Sequence, residues 1–306
     1  LPFFAEIVSD DEVRIDGTSQ GVMDQEIEFA AKGGLDYWAF LAYPPDDAMS
    51  IGLKRYLSSG VRNKMRFCLI SECGRWHDPA YVERLSDLMK EPGYVTVLGN
   101  RPVLYLGFIT EVKLTNHWAG VAGLRKVVDD FRAAARAKTG GNPYIVIMDF
   151  KPAQGKKWAD ELGCDAVSCY AAHGGDKGAP YVALSTRAEK FWKDCRTAGA
   201  RVVPIVMAGW DRRPRVERPM PWETWQKPGE GIEKYFEAAT PDELAGHLGR
   251  AVQWVKKNPD HAESGLVIIY AWNENDEGGW LVPTLFEKAA RLDAIGSMLK
   301  RERKGR

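Results

Sequence analysis

The sequence predicts a single-domain α/β protein of the (β/α)8, or TIM-barrel, class over residues 1–306. Eight apolar segments typical of strands are each followed by a segment with helical patterning. The predicted strands lack a regular polar–apolar alternation, as expected for parallel strands that helices cover. The length of 306 residues also fits one barrel of roughly 250 residues with insertions. An open doubly wound sheet is the competing fold, but the chain contains neither GxGxxG nor GxxxxGK[ST].

The predicted strands are rich in β-branched and aromatic residues and are mostly free of charge. YWAFLAY and YIVIM show this most clearly, and each is followed by residues that end a strand or begin a helix. In chain order, the predicted strands are 2–8, 37–43, 65–70, 101–109, 144–148, 166–170, 201–207 and 265–271.

The predicted helices begin and end at recognisable capping residues. Asp78 and Thr240 are suitable N-caps, and Gly33 and Gly163 are suitable C-caps. The helices are predicted at 22–32, 50–58, 79–89, 120–137, 152–162, 184–197, 241–257 and 284–300. A long loop, about 211–240, follows strand seven, and a loop of that size in a compact barrel usually forms a binding wall or a lid.

Composition excludes several classes of function. Lys plus Arg equals Asp plus Glu, 42 each, so no net charge attracts the chain to nucleic acid or to an anionic membrane. No apolar run reaches the roughly 18 residues that span a bilayer. The five Cys form neither a disulfide framework nor a common zinc spacing, and His residues are not clustered, so we expect no metal and no cofactor. The chain begins at Leu1 rather than Met, which is compatible with export to the periplasm or outside the cell.

The most informative stretch is LVIIYAWNENDEGGWLVP, residues 266–283. It begins as a buried strand and ends in aromatic, amide and acidic residues, whose charges must lie where the strand emerges from the core. Glu274 and Glu277 are three residues apart, which can bring both carboxylates into one cavity. Two carboxylates beside tryptophans are the groups needed to cleave a glycosidic bond. The alternative interpretation is that Glu274 and Glu277 are solvated acidic residues of an ordinary loop.

Polar and aromatic residues also follow the other predicted strands. In a barrel, the carboxyl ends of the strands form the active site. The set suits a neutral polyol, since carboxylates and amides bind hydroxyls and aromatic rings stack on sugar faces. Asp149 could instead cap a helix, Asp211 and Arg215 could form a structural ion pair, and the tryptophans could fill the core. The candidate substrate-binding residues are Tyr43, Glu72, Trp76, Asp149, Tyr170, His173, Trp210, Asp211, Arg215, Trp272 and Asn273.

Three segments resemble a known family. YAWNENDEGGWLVP resembles the A-[WY]-N-E-W-x-E-G-x-x-[IL]-x-P signature of glycoside hydrolase family 99 and its WbsX-type relatives, and AGWDRRPR is similar to their P-G-W-D-x-x-P-R signature. GVMDQEIEFAAKGGLDYWAFLAY is similar to the first helix and the strand that follows it in that family. The resemblance spans about Gly21 to Pro283. The chain departs from the signatures at Ala208, Asn275 and Asp276.

The resemblance implies a retaining glycoside hydrolase, with an α-mannoside or another glycan that has a free 2-hydroxyl as its substrate. It implies that Glu274 deprotonates the 2-hydroxyl and stays ionised, and that Glu277, with a raised pKa, protonates the leaving oxygen. Glu72 is an alternative acid across the barrel, and Asp276 is a third carboxylate that could take part. A WbsX-type glycosyltransferase role in polysaccharide assembly and a non-catalytic glycan-binding barrel are the alternative functions.

Overall fold

The structure, a computed structural model, describes residues 1–304 and contains an α/β barrel of parallel strands. Five strands form one parallel sheet, and a parallel bridge between Val167 and Val202 leads from it to a further parallel pair. The barrel strands, in order around the sheet, are β3 (Tyr37–Leu41), β4 (Arg66–Glu72), β6 (Arg101–Gly107), β7 (Tyr144–Met148), β8 (Ala166–Ser168), β9 (Ile205–Met207) and β10 (Ile268–Tyr270).

Among residues 1–304, five short strands lie outside this barrel. They form two hairpins and one antiparallel extension of β6. These strands are β1 (Glu6–Ser9), β2 (Glu12–Arg14), β5 (Thr96–Val97), β11 (Asn273–Glu274) and β12 (Gly279–Trp280).

Helices follow the barrel strands and cover their outer faces, which confirms the barrel class. Asp78 and Thr240 cap their helices as predicted, and Thr240 forms a full capping box with Glu243. The helices are α1 (Gln20–Lys32), α2 (Ile51–Ser58), α3 (Pro79–Leu88), α4 (Glu111–Trp118), α5 (Val121–Thr139), α6 (Pro152–Leu162), α7 (Tyr181–Thr197), α8 (Arg213–Glu217), α9 (Pro241–Lys257) and α10 (Ala290–Lys304).

The prediction of a first barrel strand over 2–8 is wrong. Most of that segment belongs to an exposed hairpin in which β1 pairs antiparallel with β2. Asp10 and Asp11 form the turn between them, because short acidic side chains favour a chain reversal. Before the hairpin, the amide of Phe3 donates to the carbonyl of Pro283 at the carboxyl-end rim.

The long loop after β9 begins with the short helix α8 and continues without a further helix or strand to Pro241. Its backbone is tied to neighbouring loops, since Phe236 donates to the Trp210 carbonyl and Glu237 to that of Ala179. The loop therefore forms one wall above the carboxyl ends of the strands. Within residues 1–304, no helix has the length and apolarity needed to cross a membrane.

Candidate active site

The two predicted catalytic carboxylates lie in a tight turn directly after β10. β11 and β12 pair antiparallel around the 3-10 turn Asn275–Glu277, and Gly278 has a φ of 76°. A side chain at Gly278 would also clash, because its Cβ would lie 2.4 Å from the Asp211 nitrogen. This close approach allows the Asp211 amide to donate to the Glu277 carbonyl at 2.7 Å. The turns after β9 and β10 are therefore held together through their backbones.

Arg215, on α8, brings the acidic residues together. Its Nη2 lies 2.8 Å from Glu274 Oε2, and its Nη1 lies 2.5 Å from Glu277 Oε1. Its Nε also lies 2.8 Å from Asp276 Oδ2. One guanidinium thus binds all three carboxylates of the turn, so Arg215 holds the acidic groups together.

Glu277 is held by two further side chains and is 8% exposed. Its Oε2 accepts a hydrogen bond from the Tyr270 hydroxyl, and its Oε1 lies 3.1 Å from Arg212 Nε. Arg212 also pairs with Glu223, a buried residue of the long loop. This network anchors the loop to the carboxylate turn.

The cluster contains more negative than positive side chains. Two guanidiniums, Arg212 and Arg215, face four carboxylates, those of Glu223, Glu274, Asp276 and Glu277, a formal difference of two negative charges. Such clusters retain a proton on the group where ionisation is most costly.

The proton is favoured on Glu274. Burial, followed by the negative charge of Glu277, raises the pKa of Glu274 to about 7. This differs from the expectation that Glu274 stays ionised. Burial lowers the pKa of Arg215, but its hydrogen bond to Asp276 and the surrounding carboxylates outweigh that effect and raise it above its usual value.

Glu274 opens onto a cavity of about 1120 Å³. Tyr43, Tyr170, Asn273 and Asp276 line the same part of that cavity. Burial and nearby negative charges raise the pKa values of both tyrosines, so both hydroxyls stay protonated and can bind a polar ligand. Of the two predicted catalytic residues, Glu274 is thus the one beside open space.

An aromatic shelf extends from this turn towards the loop after β8. The Trp210 ring lies 5.8 Å from that of Tyr270 and 5.9 Å from that of His173. The imidazole of His173 is also 4.8 Å from Phe150. Burial and the charges of Arg187 and Arg212 lower the pKa of His173, which favours a neutral imidazole on the shelf.

Trp76 does not reach the cleft, contrary to the prediction of substrate binding. It is 1% exposed, and its Nε1 donates to Ser71 Oγ at 2.7 Å. The indole packs against Phe131 of α5. The reason is the 3-10 helix Cys73–His77, which turns this side chain inward under the loop.

The remaining candidates are held mainly by neighbouring protein groups. Glu72 pairs with Arg75 at 2.8 Å, Asp211 binds Arg213 through both carboxylate oxygens, and Asp149 accepts the amide of Lys151. Burial raises the pKa of Asp149. Trp272 donates to Glu26 at 3.2 Å and packs on Trp38, so its ring serves packing at the barrel edge.

Sequence reasoning missed Tyr270, Glu223 and Glu26. Tyr270 is indistinguishable from a core residue of β10 by pattern alone, and Glu223 lies in a segment without periodicity. One signal was available: the basic run Asp211–Arg215 (DRRPR) after strand seven matches the acidic NENDE after strand eight. Adjacent strand ends with opposite charges indicate direct ion pairing.

The His, Cys, Asp and Glu side chains of the described residues are not arranged as metal ligands. Within the described part of the chain, no group of three or more His, Cys, Asp or Glu side chains is arranged to hold an ion. The acidic turn is occupied by arginines, which bring the positive charge that a cation would otherwise supply.

Comparison with solved structures supports the fold. The chain is similar to two structures of the family 99 endo-alpha-mannosidase from Bacteroides thetaiotaomicron, one of them in complex with Bis-Tris-propane. The TM-scores are 0.57 and 0.58, each at 12% identity and over 95% of this chain, covering 82% and 86% of the other chain. At this identity the likeness shows the barrel fold, and it confirms the fold that the sequence resemblance implied. No family model matches the chain, and no curated protein matches it.

Proposed function

We propose that the protein is a glycoside hydrolase whose working pair is Glu274 and Glu277. The observation that carries this proposal is the placement of both carboxylates on one guanidinium at the carboxyl ends of the barrel strands. One of them has a pKa of about 7 and faces an open cavity. Glycosidic cleavage uses one carboxyl group as proton donor and a second as nucleophile or base, and this turn brings two such groups together.

The groups around the pair fit a glycan. Tyr43, Tyr170 and Asn273 offer hydroxyl and amide groups, and Trp210 offers an aromatic face. The long loop adds Trp222, which is 63% exposed. The similar barrel in the comparison is named an endo-alpha-mannosidase, which favours an α-mannoside in an oligo- or polysaccharide as the first substrate to test.

The electrostatics favour Glu274 as the proton donor in the free protein. Its pKa near 7 is suited to giving up and regaining a proton at neutral pH. Glu277 accepts the hydrogen bond of Tyr270 and contacts two guanidiniums, so it is held in place as the partner of Glu274. This assignment is the opposite of the one that the sequence resemblance implies, in which Glu277 is the acid.

In the proposed first step, the Glu274 proton moves to the glycosidic oxygen while the bond from that oxygen to the anomeric carbon breaks. The electron pair leaves with the oxygen, and a new bond forms on the other side of the anomeric carbon, either from the Glu277 carboxylate or from the 2-oxygen as its proton passes to Glu277. In the second step, water gives a proton back to Glu274 and its oxygen bonds to the anomeric carbon, while the bond formed in the first step breaks and, on the 2-oxygen route, Glu277 returns the proton to the 2-oxygen. Two displacements at that carbon retain its configuration.

Hydrolysis of aryl glycosides and glycans by the wild type and by Glu274→Gln, Glu277→Gln and Glu72→Gln tests the proposal. We expect the first two variants to lose turnover of glycans, whose leaving groups need protonation, by about 100-fold or more, which is the usual scale for removing an acid–base group. Glu72→Gln is the matched control, since Glu72 pairs with Arg75 outside the cluster. NMR of the products should show retained anomeric configuration. Loss in Glu72→Gln alone, or an inverted product, would contradict the assignment.

Leaving-group dependence separates the acid from its partner. A 2,4-dinitrophenyl glycoside needs no protonation of its leaving group. The acid variant should therefore keep hydrolysing it, whereas the partner variant should not. We expect Glu274→Gln to spare this substrate. If Glu277→Gln spares it instead, the roles are those implied by the resemblance.

A glycan-binding barrel without turnover is the second candidate function. Arg215 engages all three carboxylates of the turn, which favours a site that holds a ligand without reacting with it. Isothermal titration with mannose-containing oligosaccharides, combined with the turnover assays, distinguishes the two. Binding without turnover in the wild type would favour this second function.

A further inference from the structure

The long loop after β9 places one carboxylate, that of Glu223, among the charged groups beside the acidic turn. Its side chain is buried, whereas that of the preceding Trp222 is exposed. Two backbone turns flank Glu223, since its amide donates to the Met220 carbonyl and its carbonyl accepts from the Gln226 amide, both at 2.9 Å. The loop backbone thus holds this acid with its side chain directed inward.

Glu223 and Glu277 are joined by the same two guanidiniums. Glu223 Oε1 accepts from Arg212 Nη2 and lies 3.8 Å from Arg215 Nη1. Glu277 Oε1 lies 3.1 Å from Arg212 Nε and 2.5 Å from Arg215 Nη1. Arg212, Arg215, Glu223 and Glu277 therefore form a closed ionic ring in which the charges alternate in sign.

The ionic ring is shielded from solvent. All four of its side chains are at most 15% exposed. The indole of Trp225 covers the guanidinium of Arg212, which lies 5.3 Å from the ring centroid. Charges in such surroundings interact more strongly than exposed charges and are screened less by salt. The charge of Glu223 therefore affects the other ionisable groups of the cluster.

Packing of the loop does not account for an acid at position 223. Among residues 1–304, which the structure describes, no group donates a hydrogen bond to Glu223 Oε2. Burial of a carboxylate is unfavourable unless its charge is compensated. An apolar side chain of similar volume often stabilises a protein as well as a buried ion pair does. The feature that such a side chain would lack is the negative charge.

That charge changes the balance at the acidic turn. With Glu223 present, the two guanidiniums face four carboxylates, and without it they would face three. Arg215 connects the ionic ring to Glu274, since its Nη2 lies 2.8 Å from Glu274 Oε2. An additional negative charge makes ionisation of a neighbouring carboxyl less favourable.

We propose that Glu223 is a positioning residue that offsets the charge of Arg212 and thereby retains the proton of Glu274. The inference rests on the proposed function for its kinetic consequence alone, because the titration of Glu274 requires no turnover. Arg212 also faces His173. Other ionisable groups that act on Glu274 are unchanged in the experiment below, and they are Tyr43, Tyr170, Tyr270, Arg215, Asp276 and Glu277.

Two substitutions separate the charge of Glu223 from its role as an anchor of the loop. Glu223→Gln keeps the length of the side chain and an oxygen that accepts from Arg212, but it removes the charge. Glu223→Asp keeps the charge and shortens the side chain by one methylene. Glu217→Gln is the matched control, because it removes one negative charge from an exposed position of the same loop, near Arg213.

A ¹³C NMR titration of the glutamate carboxyls, assigned with Glu274→Gln, measures the effect. We expect the pKa of Glu274 to fall by about 0.5–1 unit in Glu223→Gln, less than the 1–3 units of a charge in direct contact. In Glu223→Asp and Glu217→Gln it should stay within about 0.2 unit of the wild type, because the first keeps the charge and the second removes a screened one. The limb of the kcat/KM profile that reports Glu274 should move to lower pH in Glu223→Gln.

A double substitution tests whether Glu223 acts through Arg212. Arg212→Met removes a positive charge and should raise the pKa of Glu274. Arg212→Met combined with Glu223→Gln removes both charges and should return that pKa to within about 0.3 unit of the wild type. A purely structural role of Glu223 predicts no such recovery, since the double variant loses more contacts than either single one.

An unchanged titration of Glu274 in Glu223→Gln, or no recovery in the double variant, would overturn the inference. Equal shifts in Glu223→Gln and Glu223→Asp would assign the effect to the position of the loop and would also overturn it. An equal shift in Glu217→Gln would do the same, because it would assign the effect to net charge. If the wild type hydrolyses no glycan, the proposed function fails, whereas the NMR titration still decides the role of Glu223.

Discussion

Replacing Arg215 by Met tests the central electrostatic argument. The guanidinium lies 2.8 Å from Glu274 and its positive charge lowers the pKa of that carboxyl, against the larger effects of burial and Glu277. An opposite charge at such a distance changes a pKa by about 1–3 units. Since the Glu274 side chain is 27% exposed, solvent screening places the effect near the lower end. We therefore expect the pKa of Glu274 to rise by about 1–2 units above its value near 7.

The pH dependence of kcat/KM and a ¹³C NMR titration of the glutamate carboxyls measure this change. Glu274→Gln assigns the relevant NMR signal. If Glu274 donates a proton, the alkaline limb of the pH–rate profile moves to higher pH in Arg215→Met. If Glu274 acts as a base, the acidic limb moves to higher pH instead. The kinetic profile therefore distinguishes the two roles in the same experiment.

Arg213→Met is the matched control. Arg213 lies two residues away, pairs with Asp211 and stacks on Tyr235, so it contacts none of the carboxylates of the turn. Its replacement should leave the pKa of Glu274 unchanged. A shift of less than about 0.3 unit in Arg215→Met, or a shift to lower pH, would refute the reasoning, because a 1-unit shift corresponds to about 1.4 kcal/mol of interaction.

Three further changes test other parts of the structure. Burial raises the pKa of Glu26 from 4.5 to about 7, so its contribution to stability is present below pH 4.5 and is lost as pH rises through 7. Between pH 5 and 8, the free energy of unfolding of Glu26→Gln, measured by urea denaturation, should rise by about 3 kcal/mol relative to that of the wild type. The same pH dependence of the free energy of unfolding in both proteins would contradict this. Trp76→Ala should lower the free energy of unfolding by about 3–5 kcal/mol, and a loss under about 1 kcal/mol would contradict its core position. Trp222→Ala should raise KM for a glycan by about 3–10-fold with little change in stability, and an unchanged KM would remove Trp222 from the glycan site.

The barrel could be predicted because its strands and helices follow local rules. The range 144–148 of β7 and the ranges of α6 and α9 coincide with the prediction, since YIVIM is uniformly apolar and each helix has a Pro at its first position. The segment 2–8 was mistaken for a barrel strand because Ile7 and Val8 have high β-propensity in either a hairpin or a barrel. Propensity identifies a strand, but it does not identify the strand's neighbours.

The side chains that reach the cleft could be predicted only in part. Trp76 and Trp210 both follow a predicted strand within a polar segment, and nothing in their local sequence separates them. The turn geometry decides: a 3-10 helix buries Trp76, whereas Trp210 stays partly exposed beside Tyr270. The sequence likewise placed Arg215 near the cleft without showing that it would bind all three carboxylates.

The acidic turn depends on the position of one strand. Tyr270 lies on β10 and its hydroxyl binds Glu277, and within residues 1–304 β10 pairs only with β9. An edge strand with pairing on one side opens more readily than a strand paired on both sides. Any displacement of β10 therefore moves the Tyr270 hydroxyl relative to Glu277 and changes the charge balance around Glu274.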